Sequence, residues 1–351
     1  MNKIINILKK KPIPLDKFIN IALYDKKTGY YMKKNPFGEK GDFVTSPLIS
    51  KLFSEIIAVW CVAYWKYLGK PKKILIVELG PGDGSLCEDL LHIFKKFRNF
   101  YSCLEIKLFE ISDKLRKIQK IKINNKKVKW LNKLEKINAG PVIFFGNEFF
   151  DSLPIKQFYK KNNTFLEKYI ALSDNKIKFY YEKLNKNSLK ELSDLNLSYS
   201  KKTIEYPIKS IEYLKIISKK IQKFDGGLLT FDYGYTKNDN KNTLQSVKKH
   251  KYNKLFSNIG DSDITSHVNF KLFCQILKKE NLNVKKIVNQ NEFLQKSGII
   301  ERANMAAKKM TFKEKADMYY RLKKLLDQNE MGNLFKVLFA QKKDRNFSLG
   351  F

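Results

Sequence analysis

The segment Ile74-Leu75-Ile76-Val77-Glu78-Leu79-Gly80-Pro81-Gly82-Asp83-Gly84-Ser85 constrains this chain more than any other. Four consecutive apolar residues fit a strand buried on both faces. Three glycines at every second position follow, and then helix-forming residues from Ser85. Strand, glycine turn and helix in this order place a ligand against bare backbone, in a turn whose φ/ψ angles a Cβ would forbid. The turn is not a P-loop, since no Gly-Lys-Ser/Thr follows. It also departs from the dinucleotide fingerprint, whose third glycine would fall at Ser85.

The flanking pattern repeats the theme. Short apolar runs at 106–109, 128–130, 141–145, 228–231, 284–288 and 334–340 alternate with helical stretches, among them 85–97, the turns through Leu115 and Ile118, 207–224 and 270–279. Such alternation predicts right-handed β–α–β crossovers and a doubly wound α/β sheet. Residues 1–70 read as a helical N-terminal segment. It has apolar stripes at Leu15, Phe18, Ile19, Ala22 and Leu23 and over 48–67, separated by a Gly/Pro/Asp-rich loop at 28–47. Residues 71–351 read as the core. Insertions are expected at about 156–205, with a hairpin around Ser173-Asp174-Asn175, and at about 236–280, the stretch 236–263 reading as a polar loop. Further helices are expected over about 291–328.

Bulk properties exclude several classes. Lys and Arg number 69 against 35 Asp and Glu, a net charge of +34. That could mark a nucleic-acid partner. However, the lysines are scattered among abundant Asn, Ile, Phe and Tyr, all drawn from AT-rich codons, and Arg is scarce. Codon drift is the simpler reading, and nucleic acid is not the expected partner. Cys61, Cys87, Cys103 and Cys274 form no CxxC pair, and His92, His250 and His267 no HExxH, so no metal site is expected. The longest apolar stretch, 56–65, is short of the ~20 residues a membrane span needs. With no signal or transit peptide evident, the expectation is a cytoplasmic protein.

Around the turn, the spacing Glu78-x-Gly80-x-Gly82-x-Gly84 is the pattern of class I methyltransferases, in which an amino-acid moiety rather than a pyrophosphate lies along the glycines. Glu78 can help hold that moiety's ammonium. Glu110 ends the next strand, where a carboxylate accepts both ribose hydroxyls; alternatively it caps the following helix. Glu148 and Asp151 follow the fourth strand, at the carboxyl edge where doubly wound folds place their chemistry. They are the candidate catalytic residues, or else they cap the turn before Pro154. Phe149 and Phe150 line an acceptor pocket or belong to the core.

Taken together, the chain resembles the MidA family of methyltransferases. Its landmarks are Leu23-Tyr24, Gly29-Tyr30-Tyr31, Gly41-Asp42-Phe43-Val44-Thr45-Ser46-Pro47, the glycine turn, Asn147-Glu148-Phe149-Phe150-Asp151-Ser152-Leu153-Pro154 and Phe231-Asp232-Tyr233-Gly234-Tyr235. Thr243-Leu244-Gln245, Asp263-Ile264-Thr265-Ser266-His267-Val268 and Met331-Gly332-Asn333-Leu334-Phe335-Lys336-Val337 complete them. The resemblance implies a Rossmann-like, seven-stranded core and S-adenosylmethionine as cofactor. It also implies a protein substrate methylated on arginine, with a respiratory complex I subunit as the candidate. The expected cofactor residues are Glu78, Gly80, Gly82, Gly84, Glu110 and Asn147; Asp42 and Thr45 in the N-terminal glycine loop fold over the cofactor as a lid, or else Thr45 or Ser46 caps the helix starting near Leu48. Asn132 stands where the family has an Asp near the adenine. Asp232, Tyr233, Gln245 and His267 are rim candidates. Two other readings stay open: an assembly factor that binds the cofactor but turns over little, and a nucleic-acid methyltransferase.

Overall fold

The computed structural model describes residues 2–33, 36, 50–162, 164–195, 197, 203–237, 242–248 and 251–351. The lid-loop candidates Asp42 and Thr45, and also His250, lie outside the described residues.

The alternating pattern forms one sheet with a seven-strand path. Its strands are β1 (Ile74–Leu79), β2 (Leu104–Phe109), β3 (Val128–Leu131), β4 (Val142–Asn147), β5 (Gly226–Tyr235), β6 (Leu282–Val284) and β7 (Phe335–Lys342). Their order is β3-β2-β1-β4-β5-β7-β6, with β7 antiparallel to both neighbours and the pairs from β3 to β5 parallel. Two crossover series leave β1 in opposite directions, so the carboxyl ends of β1 and β4 lie side by side where the order reverses. A doubly wound sheet binds its ligand at that switch point.

Every residue of β1 is buried, the apolar run Ile74–Val77 as expected and Glu78 with it. Alternate residues feed two cores. Ile74, Ile76, Ile106, Ile143 and Phe231 pack against α2 (Lys51–Tyr67), α3 (Ser85–Phe94) and the C-terminal helices. Leu75, Val77, Phe144, Leu228 and Leu338 pack against α5 (Ile208–Phe224) and α6 (Phe270–Lys279). Each fully buried side chain of this size contributes roughly 1.5–3 kcal/mol. The helix at 51–67, grouped with the N-terminal segment in the sequence, thus packs on the central sheet.

The remaining segments come together as a lobe. In the 156–205 insertion, strands Lys156–Lys161, Thr164–Ser173, Lys176–Lys183 and Thr203–Tyr206 form an antiparallel sheet. Ile13 and Pro14 from the start of the chain join its edge, opposite Ile170 and Tyr169. Helix α1 (Leu15–Tyr24) buries Leu15, Phe18, Ile19, Ala22 and Leu23 against Ile155, Ile170, Ile259 and Ile264.

Three local readings change. The 85–97 helix stops at Phe94, and a separate helix, Arg98–Cys103, leads into β2. The single strand expected at 284–288 is two short pieces, Leu282–Val284 and Val288–Asn289, both paired to β7. The expected loop at 236–263 contributes Gln245–Lys248 and Lys251–Asn253 to a three-stranded sheet with Asp263–Thr265. Those strands are too short and too polar to show a period of two.

Candidate functional site

The glycine turn sits at the carboxyl end of β1. Gly80, Gly82 and Gly84 all have positive φ, at 63°, 57° and 85°. They are not equivalent. Gly80 and Gly82 line a cavity at the sheet's switch point. Gly84 faces away from it: a Cβ there would meet Ile123 Cδ1 at 3.1 Å and Gln119 Cγ at 3.3 Å. Its expected ligand role gives way to a packing one, letting helix α4 (Asp113–Ile123) approach the turn. Asp83 secures the start of α3, accepting from Ser85 N at 3.0 Å and pairing with Lys122 at 2.5 Å.

Two buried carboxylates flank the turn. Glu78 is 5% exposed, and its Oε2 has no hydrogen-bond partner. Burial, with Asp83 adding to it, pushes its pKa up to about 8. A lone carboxylate oxygen held this way is costly unless a cation completes it. Glu110 follows β2 and lines the same cavity. Burial raises its pKa to about 7, and hydrogen bonds from Ser112 N (2.7 Å) and Gln119 Nε2 (3.2 Å) hold the rise in check. The Ser112 bond shows that Glu110 also braces the start of α4, so capping and ligand contact are compatible.

The opposite wall starts at the end of β4. Asn147 Oδ1 and Asp151 Oδ1 are both buried without a partner. Glu148 adopts φ 52°, the left-handed region, with its N–H bonded to Phe231 O at 2.9 Å. Holding a non-glycine residue there costs on the order of 1–3 kcal/mol and is common at working sites. Asp151 is pushed up to about 6 by burial, and the Tyr233 hydroxyl beside it moderates the rise. Tyr24, Tyr31, Tyr213, Phe149 and Asp263 complete this wall. The Tyr24 and Tyr31 rings stack at 5.6 Å. Tyr31 OH donates to Asp263 Oδ2 at 3.0 Å, and Tyr24 OH to Ser152 O at 3.1 Å.

Several expected site residues lie elsewhere. Asn132 is exposed just past β3 and does not line the cavity. Phe150 is core, edge-on to Phe273 at 5.0 Å. Asp232 is fully buried and accepts from Phe150 N at 2.9 Å and Asp151 N at 3.3 Å, so it fixes the turn after β4 rather than forming the rim. Gln245 bonds Thr265 Oγ1 at 3.2 Å within the lobe. His267 packs edge-on against Tyr233 at 5.4 Å, outside the lining.

Other lining residues were missed as site residues in the sequence: Tyr24, Tyr31 and Tyr213. The pair Tyr30-Tyr31 beside Gly29 was the available signal for the second. Gln119, behind the wall, was missed too. Its signal was a polar residue at the midpoint of the buried spacing Leu115-Gln119-Ile123.

Comparison with known proteins decides the family. The sequence model of a family of S-adenosyl-L-methionine-dependent methyltransferases matches residues 56–288. The chain belongs to that family. It is therefore a methyltransferase whose donor is S-adenosylmethionine, and the MidA-type resemblance holds. The protein arginine methyltransferase NDUFAF7, mitochondrial, of Xenopus tropicalis is 29% identical over 363 residues, 95% of this chain and 83% of that protein. The Caenorhabditis elegans homologue of the same name is 30% identical, covering 83% and 74%. A crystal structure from Burkholderia thailandensis, bound to S-adenosyl-homocysteine, superposes with TM-score 0.82 at 21% identity, covering 97% and 90%. It supports the Rossmann-like methyltransferase fold.

The relatives also overturn one expectation. The absence of an evident leader pointed to the cytoplasm, yet the relatives are named as mitochondrial proteins. Among the described residues, no helix is long and apolar enough to cross a membrane, and no group of three His, Cys, Asp or Glu could hold a metal ion.

The residues present fit the donor. Gly80 and Gly82 bring bare backbone to the cavity, and a Cβ on Gly80 would meet the Phe149 ring at 2.9 Å, while Glu78 and Glu110 offer buried carboxylate oxygens to a cation and to hydroxyls. This pairing suits an amino-acid nucleoside carrying positive charge.

Proposed function

We propose that this methyltransferase acts on an arginine side chain of a protein partner, with a respiratory complex I subunit as the candidate the family resemblance implies. The observation that carries the reading is the wall facing the glycine turn. Three carboxylates, Glu148, Asp151 and Asp263, share it with Tyr24, Tyr31, Tyr213 and Tyr233. Acids among aromatic rings, Asp151 and Asp263 buried and Glu148 partly so, suit a planar delocalised cation. The name carried by the relatives, protein arginine methyltransferase, supports the same acceptor.

When bound, S-adenosylmethionine supplies an electrophilic methyl carbon. The chain's own residues do the rest. Gly80 and Gly82 seat the donor's amino-acid part with Glu78, Asn147 lies beside them, and Glu110 takes the sugar hydroxyls. Glu148 and Asp151 hold the guanidinium, whose pKa lies above ~12, so one nitrogen must shed a proton as it is methylated. Asp151, with one oxygen free and its pKa raised to about 6 by burial, is placed to receive that proton. The tyrosines exclude water and fix the plane of the acceptor.

The test is transfer of labelled methyl from the cofactor into extract proteins, followed by acid hydrolysis. Label recovered as methylarginine is the expected result. Label in nucleic acid, label in methyl-lysine, or tight cofactor binding with no transfer would each overturn the proposal.

A further inference from the structure

We propose that Gln119 is a positioning residue for cofactor recognition: it locks the Glu110 carboxylate to the glycine turn, so that Glu110 presents itself to the ribose. This rests on the reading that Glu110 accepts the ribose hydroxyls.

Gln119 lies in the middle of α4 and is 0% exposed. Its amide bonds in three directions. Nε2 donates to Gly82 O at 2.7 Å and to Glu110 Oε2 at 3.2 Å, while Oε1 accepts from Trp130 Nε1 at 2.8 Å. An indole N–H only donates, so Trp130 fixes which end of the amide faces Glu110. One side chain thus joins three strand ends: the turn after β1, the acid after β2, and β3.

Packing alone would not choose this residue. The stripe Leu115, Gln119, Ile123 is buried, and an amide at its centre has to satisfy every polar atom to be tolerated. Two of Gln119's three partners, Gly82 and Glu110, line the cavity. Its backbone is also close: Gln119 Cα lies 3.5 Å from where a Cβ on Gly84 would be. Ser112 N donates to Glu110 Oε1 and Gln119 Nε2 to Oε2, and the Ile111 N–H adds a third contact to the carboxylate. A carboxylate has about four acceptor positions, so capacity for a hydroxyl remains, in a direction these donors determine.

The experiment measures affinity of the full chain for S-adenosyl-homocysteine and for its 3′-deoxyribose analogue by calorimetry. The ratio of the two reads ribose recognition. The wild type is expected to favour the hydroxylated compound by about tenfold or more, as for loss of a hydrogen bond to a charged group, and Glu110→Ala to lose the preference. Gln119→Met keeps the volume and removes the amide. It is expected to weaken S-adenosyl-homocysteine about tenfold and shrink the ratio to within about twofold. A purely structural role would weaken both ligands equally and leave the ratio intact, which overturns the inference. Trp130→Phe frees the amide without touching Gln119, and its ratio should fall to an intermediate value. If Gln119→Met does not fold, Trp130→Phe decides: a reduced ratio supports the inference and an unchanged one overturns it. No preference in the wild type refutes the Glu110 reading and this inference with it. A preference that survives Gln119→Met refutes only the inference.

Discussion

The wall at the ends of β1 and β2 is built mostly from two short runs, Glu78 to Ser85 and Phe109 to Leu115, whereas the facing wall draws on residues as far apart as Tyr24 and Asp263. The first wall offers backbone and two buried carboxylates, of which Glu110 is braced by Ser112 and Gln119. The second offers acids and phenols tethered across segments, such as Tyr31 to Asp263 and Tyr24 to Ser152. A donor common to a whole family can be read by a compact local device. An acceptor particular to one enzyme is read by a wall that insertions can reshape.

Substitutions can break this division of labour. The largest effect is expected at Gly82, whose φ of 57° no β-branched residue tolerates. Gly82→Val should weaken S-adenosyl-homocysteine on the order of 100-fold or more in calorimetry, with the fold retained by circular dichroism. On the other wall, Asp151→Asn should cut kcat on the order of 100-fold while the cofactor Kd stays within about twofold. A matching loss of cofactor affinity would erase the distinction between the walls.

Tyr233→Phe should act more gently, lowering kcat about tenfold, within the range for an assisting proton-transfer group. Its diagnostic lies in pH. Asp151 has to be ionised to receive a proton, so activity should fall as pH drops through about 6. The Tyr233 hydroxyl favours the ionised form, so its removal raises the Asp151 pKa and moves this acid limb to higher pH. A limb that stays put or moves down would show that Asp151 is not the titrating group. The smallest effect is expected at Asn132, exposed and outside the lining: Asn132→Ala should change cofactor Kd by less than about twofold.

The compact wall was also the legible one. Gly80, Gly82 and Glu78 declare themselves because backbone conformation and strand-end position are local properties. The seven-strand core was legible for a similar reason, since each strand and helix carries its own periodicity. Gly84 shows the limit: sequence reveals that a glycine is needed but not whether the reason is a ligand or, as here, a neighbouring helix. Asp232 shows another, because a strand-end acid reads alike whether it points into a cavity or back onto two amides. Gln119 was hidden by its neighbour, since Ile118 looks like the core residue although Gln119 is the one buried. The stretch 245–265 was least legible, because its strands are short and polar and pair with one another, so no apolar alternation marks them.

The pairing of Ile13 and Pro14 with Tyr169 and Ile170 ties together two segments far apart along the chain. During synthesis, the first helices therefore wait for more than a hundred further residues before their sheet partner emerges. Loop closure over such a span is slow compared with local helix formation. Meanwhile the apolar face of α1, with Phe18, Ile19 and Leu23, lacks Ile155, Ile170, Ile259 and Ile264, which complete its core. A nascent chain in that state is a natural client for a holding chaperone, and truncations of the amino terminus should yield aggregates more readily than a trimmed but active enzyme.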